Sequence, residues 1–131
     1  MKNLIYTVES GITTVANVAM SVGRIFRRYG CAVNASGANV ILARPGYYNV
    51  DVSLSVTNDT AAPVTIQFTL EENGAAVDGG EATVTIPATE SETLSFASTV
   101  RVFCGVNKTL QVVPNVAGVT VDNFAVRVTE V

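Results

Sequence analysis

The chain contains no histidine and no tryptophan among its 131 residues, and only two cysteines. Without histidine the commonest general base and metal ligand is missing, so no Ser–His or Cys–His nucleophile can be assembled. A zinc site would have to rely on two thiolates and carboxylates. Charge is scarce too: Asp, Glu, Lys and Arg make up 15% of the chain, against roughly 25% in an average globular protein, while hydrophobic residues reach 48%. A monomer with so few charges would have a bland surface, and the composition favours a chain that buries further area in an oligomer. Long apolar runs are absent as well. Asn3, Glu9, Ser10 and Asn17 interrupt the first twenty residues, so neither a signal peptide nor a membrane span is expected there, and the expectation is folding in a cytoplasm or export by a route without such a signal.

The remaining chemistry-bearing residues form no recognisable constellation. Cys31 and Cys104 are too few for a disulfide framework, and their apolar neighbours predict buried thiols, with a single bridge as the alternative. Glu71 and Glu72 are successive at a strand end and point to opposite faces, which is no paired-carboxylate site. Asp78-Gly79-Gly80 lacks the lysine and the following helix of a phosphate cradle. Asp51, Asp59 and Asp122 are candidate calcium ligands, yet no loop packs acids at ligand spacing. The sequons at Asn34, Asn58 and Asn107 are expected by accident in a chain rich in Ser and Thr. A non-enzymatic protein with no cofactor and no bound metal is the expectation.

What the sequence does contain is alternation. Tyr48, Val50, Val52, Leu54 and Val56 are interleaved with Asn49, Asp51, Ser53, Ser55 and Thr57, the period of a strand with one buried face. The pattern returns at Val64–Leu70, Ala82–Ile86, Leu94–Val102, Leu110–Val112 and Phe124–Val128, in Val- and Thr-rich segments that suit pleated surfaces. Pro45-Gly46, Asn58-Asp59-Thr60, Asn73-Gly74, Asp78-Gly79-Gly80 and Pro114 to Gly118 separate the runs. Asn73-Gly74 reads as a two-residue hairpin turn. Near Asp122-Asn123 the apolar parity changes, which predicts a β-bulge. Eight or nine strands from Arg24 onward, with no helical stripe between them, predict an all-β fold of two packed antiparallel sheets, a sandwich or jelly roll. Tyr48, Val50, Val52, Leu54, Phe68, Phe96 and Val126 are the predicted core. Residues 1–22 do not alternate cleanly and are read as an N-terminal arm or added strands, on this or a neighbouring subunit, outside a domain at 23–131.

Charge is divided unevenly along the chain. Residues 1–50 carry Lys2, Arg24, Arg27, Arg28 and Arg44 against Glu9 alone, whereas the rest carries Arg101, Lys108 and Arg127 against ten acids. Two surfaces with different partners follow from this division. An acidic body without a broad basic face speaks against nucleic-acid binding. The cluster Arg24-Ile25-Phe26-Arg27-Arg28-Tyr29 is the concentrated feature: guanidinium forks bind carboxylates and stack on rings, so it is suited to docking an acidic protein surface. An edge strand guarded by charge is the structural alternative.

Val40 to Val50, with its apolar strand, Pro-Gly-Tyr and alternating strand, resembles the tumour-necrosis-factor and complement-globular-head jelly rolls. Leu70 to Val77 is similar to their strand, Asn-Gly, strand hairpin, and Phe124 to Val128 to their closing inner strand. Val22 to Cys31 resembles the opening segment of small bacteriophage and prophage proteins with this domain. The resemblance implies a homotrimer packed through its inner sheets, acting in adhesion or display and not in catalysis. No secretion signal or collagen-like stalk is found here, which turns the expectation toward a phage capsid-decoration or head-fibre protein, located on the virion and assembled in the bacterial cytoplasm. Arg24, Arg27 and Arg28 would then dock to the capsid or another virion protein, and Tyr47 and Arg127 would line the trimer interface. A carbohydrate- or receptor-binding module of a phage tail or spore surface, with a host-surface glycan as ligand, is the alternative.

Overall fold

Alternating apolar and polar residues do form strands here, and the computed structural model, which describes residues 2–131, is built from eleven of them. In chain order they are β1 (Leu4–Glu9), β2 (Ile12–Thr13), β3 (Arg24–Tyr29), β4 (Val33–Ser36), β5 (Asn39–Leu42) and β6 (Gly46–Thr57). There follow β7 (Val64–Glu72), β8 (Ala75–Ile86), β9 (Ser91–Val102), β10 (Lys108–Pro114) and β11 (Thr120–Glu130). Sheet A runs β3-β1-β11-β6-β9, with β2 alongside β11, and sheet B runs β4-β5-β10-β7-β8. Every pairing is antiparallel, and the two sheets stack as a jelly roll, as the alternation predicts.

The inward faces interdigitate as one core, whose largest fully buried side chains include Tyr48, Phe68 and Phe124. Tyr48 is wholly buried, yet its hydroxyl donates to the Arg44 carbonyl at 2.7 Å, so no polar atom is stranded. Six of the seven predicted core residues are fully buried, and Phe96 is the exception. It faces the core from β9, the outermost strand of sheet A, where one flank of the ring is left half-covered.

The turn chemistry follows the expected rules. Asn73 (φ 49°) and Gly74 (φ 85°) both occupy the left-handed region, as a primed hairpin turn between β7 and β8 demands. The parity change in β11 is a bulge: register with β6 jumps between Asp122 and Ala125, and Asn123 sits at φ 50°. Asn58, the first residue of a sequon, is fully buried. Its amide donates to the Ala62 and Ile86 carbonyls at 2.8 and 3.1 Å and its oxygen accepts from Thr60, so it locks a turn.

One expectation needs correction. Cys31 and Cys104 are exposed free thiols, because both fall in connections between strands, where apolar neighbours do not imply burial. The N-terminal segment, read as an arm or as added strands, holds strands: Leu4–Glu9 is an inner strand of sheet A, hydrogen-bonded to β11 on one side and β3 on the other. Residues 14–22 then cross to sheet B, with Asn17 and Met20 donating backbone hydrogen bonds to β10, and Met20 and Val22 are buried.

The two ends of the chain meet at Glu130. Its Oε1 accepts from the Asn3 backbone amide and side-chain amide, each at 3.0 Å, and its Oε2 lies 3.6 Å from Arg44 Nε. Asn3 Oδ1 in turn accepts from Ala32 N at 3.2 Å, in a space where a Cβ on Gly30 would collide with it. The two Asn3 hydrogen bonds hold the Glu130 carboxyl below its ordinary value of 4.5, with Arg44 and Lys2 assisting and burial opposing.

Removing the Phe68 ring should cost about 3–5 kcal/mol in denaturant melts, the range for a buried phenylalanine, and Phe96→Ala should cost clearly less. Equal losses would show that the edge position gives Phe96 no relief. A carboxyl with a lowered folded-state pKa contributes stability that is complete above its unfolded-state value and is lost as pH falls through the folded-state value. Stability should therefore decline below pH 4.5 in the wild type and decline less steeply in Glu130→Gln, as followed by melts across that range. Parallel decline of the two proteins would remove Glu130 as the cause.

Candidate interaction face

The two outward faces of the sandwich differ in kind. Sheet B carries polar pairs on its outer face, beside the half-buried Ile41 and Val113: Thr65 pairs with Thr85 at 2.9 Å, Gln67 with Glu81 at 3.0 Å and Gln111 with Asn39 at 2.6 Å. Sheet A presents rings, guanidinium groups and small residues. At its centre lies a shallow depression of about 430 Å3, rimmed by Tyr6, Asp51 and Arg127, with Ser53, Ser95, Ala97 and Ala125 among its lining.

Register explains this arrangement. Arg27, Tyr6, Arg127, Asp51 and Ala97 stand opposite one another in a single row across β3, β1, β11, β6 and β9. A second bulge, on β3, sets the ring of Phe26 into the row. Tyr6 pairs with Arg27 and Thr7 with Ile25, so Phe26 is the extra residue. The Phe26 and Tyr6 rings then meet edge to face at 5.9 Å and 84°. The Arg27 guanidinium lies 4.5 Å from the Phe26 ring centre and that of Arg24 5.5 Å, while Arg127 lies 5.1 Å from Tyr6. Arg127 thus turns toward a ring, and no ion pair joins it to Asp51 among the described residues.

Of the residues singled out from sequence, Arg24 and Arg27 share this ring cluster with Phe26, and Arg28 follows on the same edge strand, all three exposed. Tyr47 and Arg127 both face outward from sheet A, but they stand apart. Tyr47 lies four residues along β6 from Asp51, about 13 Å at the rise of a strand. Tyr47 belongs instead to a second aromatic group at the end of β9, where the Arg101 guanidinium is 5.5 Å from its ring and 4.4 Å from that of Phe103. Sequence reasoning missed Tyr6, Phe103 and the role of Glu130. Tyr6 lies in a stretch that hides its alternation, and only its neighbours across the sheet show its place. Asp51, Asp59 and Asp122 are not gathered: Asp59 accepts from Thr120 at 2.8 Å, Asp122 from Gly11 at 2.9 Å, and Asp51 faces the depression. Among the described residues no three Cys, Asp or Glu side chains come together as a metal site.

Comparison with solved structures identifies the type of fold. Murine APRIL superimposes over 100% of both chains with a TM-score of 0.70 at 13% identity. The globular domain of zebrafish complement 1qA superimposes over 97% of this chain and 94% of that one, with a TM-score of 0.66 at 7% identity. No protein-family model and no curated protein matches the sequence. The chain has the jelly-roll fold of the tumour-necrosis-factor and complement globular domains, and at such low identity the likeness is one of fold.

Proposed function

We propose that the protein is a non-enzymatic homotrimeric display module whose three copies turn the outer face of sheet A toward a common axis. The single observation that carries this reading is the contrast between the faces. Sheet B carries cross-strand polar pairs on its outer face, whereas sheet A exposes Phe26 and Tyr47, has a half-buried Tyr6 between them, and contains a depression floored by small residues. Rings and arginines around a patch of small residues are the composition of an interface. Tyr47 and Arg127 lie on this face and are assigned to the interface.

On this reading the module acts on a bacteriophage virion, as a capsid-decoration or head-fibre unit. The support for that setting is the resemblance of residues 22–31 to small phage and prophage proteins. The exposed arginines of β3 offer charge for an acidic neighbour.

Light scattering tests the assembly directly. Three copies of 13.7 kDa give about 41 kDa, and a lasting monomer at all concentrations would defeat the reading. Tyr47→Glu combined with Arg127→Glu should shift the mass toward 13.7 kDa while leaving the β-sheet circular dichroism intact. A folded double variant that stays trimeric would remove these two residues from the interface.

A further inference from the structure

A cleft opens at the lateral edge of the sandwich where β8 of sheet B lies beside β9 of sheet A. It measures about 270 Å3, and Glu72, Asp78, Thr99, Arg101, Phe103 and Lys108 carry its chemistry. A bulge in β8 shapes it. Thr69 pairs with Glu81 and Glu71 with Ala76, so residues 77–80 stand against Leu70 alone. Gly79 turns the chain there at φ 77°, a conformation that favours glycine. The turn sends Val77 into the core and leaves Asp78 exposed, and Ser98 Oγ on β9 holds it by donating to the Asp78 carbonyl at 3.0 Å.

Most polar groups of the cleft are anchored within the protein. Lys108 Nζ lies 3.1 Å from Glu72 Oε1, with both side chains mostly covered, and the ammonium keeps N–H groups to spare. Thr99 Oγ1 donates to Asn49 Oδ1 at 3.0 Å, which leaves its own lone pairs open. The Arg101 guanidinium lies 4.4 Å from the centre of the Phe103 ring, and that residue is 52% exposed. The Asp78 carboxylate, among the described residues, meets no cation within ion-pair distance.

These groups define a class of ligand. Arg101 and Lys108 balance Glu72 and Asp78, so the cleft has no net charge with which to draw an ion. Both cations are already engaged, one with a ring and one with a carboxylate, which speaks against a carboxylate or phosphate ligand. Spare donors and acceptors beside an exposed ring suit a molecule with hydroxyl groups around an apolar face, as a sugar has. The volume falls below the roughly 300–1,000 Å3 of clefts that hold drug-sized ligands, and it suits a single sugar ring. We infer that this cleft binds a neutral hexose, with the C–H face of the sugar against Phe103 and its hydroxyls shared among Asp78, Arg101 and Lys108. Anchored side chains lose little freedom when they bind. The cleft is complete within one copy, so the inference does not rest on the trimeric reading.

Amide-resolved NMR of the full chain, titrated with the methyl glycosides of glucose, galactose and mannose, tests the inference. At least one glycoside should move the Asp78, Thr99, Arg101 and Phe103 amides saturably at millimolar concentration. Phe103→Ser and, separately, Asp78→Ala should each weaken that binding by roughly tenfold or more. Both side chains are exposed, so circular dichroism and thermal melts of the variants should match the wild type. No shift with any of the three glycosides overturns the inference. So does a response confined to the depression around Tyr6 and Asp51, or binding that survives both substitutions. Tighter binding of glucuronate than of every neutral glycoside would overturn the assignment of a neutral ligand. None of these outcomes bears on solution mass, so the trimeric reading stands or falls separately.

Discussion

Sheet A depends on its last strand. β11 lies between β1 and β6, so within sheet A the pairing that joins β1 to β6 passes through the final residues. The Glu130 carboxylate fastens this arrangement by receiving both amides of Asn3, and Asn3 carries the link on to Ala32. An ionised carboxylate is costly to bury without partners. Here two amide donors offset that cost, with Arg44 nearby, and the same contacts fix the level at which β1 enters the sheet. The heights of Tyr6 and of the β3 arginines follow from that level.

The sequence was most readable where one face of a strand is dry and the other wet. Strand β6 alternates cleanly because Tyr48 to Val56 face the core while Asn49 to Thr57 face outward, and its boundaries and burial follow directly. β1 was unreadable for the opposite reason. Ile5 and Thr7 face the core, but Leu4, Tyr6 and Val8 on the other side are half-buried, so polarity no longer marks the faces. A strand with apolar residues on both sides loses its period-two signal. The lost alternation is itself informative, since it marks a strand whose outward residues are half-buried by their neighbours.

The interaction face was legible in its members and illegible in its geometry. Arg24, Arg27, Tyr47 and Arg127 were distinguishable as outward-facing residues. Their division into two ring clusters depends on cross-strand register and on a bulge at Phe26 that no local pattern announces. Long-range pairing of this kind brings together residues more than a hundred positions apart, as with Tyr6 and Arg127. The bulge in β11 was readable because it reverses the parity of a strongly alternating strand. The bulge in β3 lies in a short charged stretch that has no parity to reverse.

The adjacency of the two chain ends has a practical consequence. Lys2 Nζ lies 3.0 Å from the Val131 carbonyl oxygen, and Glu130 N donates to the Asn3 carbonyl at 2.9 Å. A short linker could join the ends without crossing the core, and the exposed Asn73-Gly74 turn offers a place to reopen the chain. A circularly permuted protein made in this way would begin and finish at a hairpin tip, with β1 and β11 joined as consecutive strands of one hairpin.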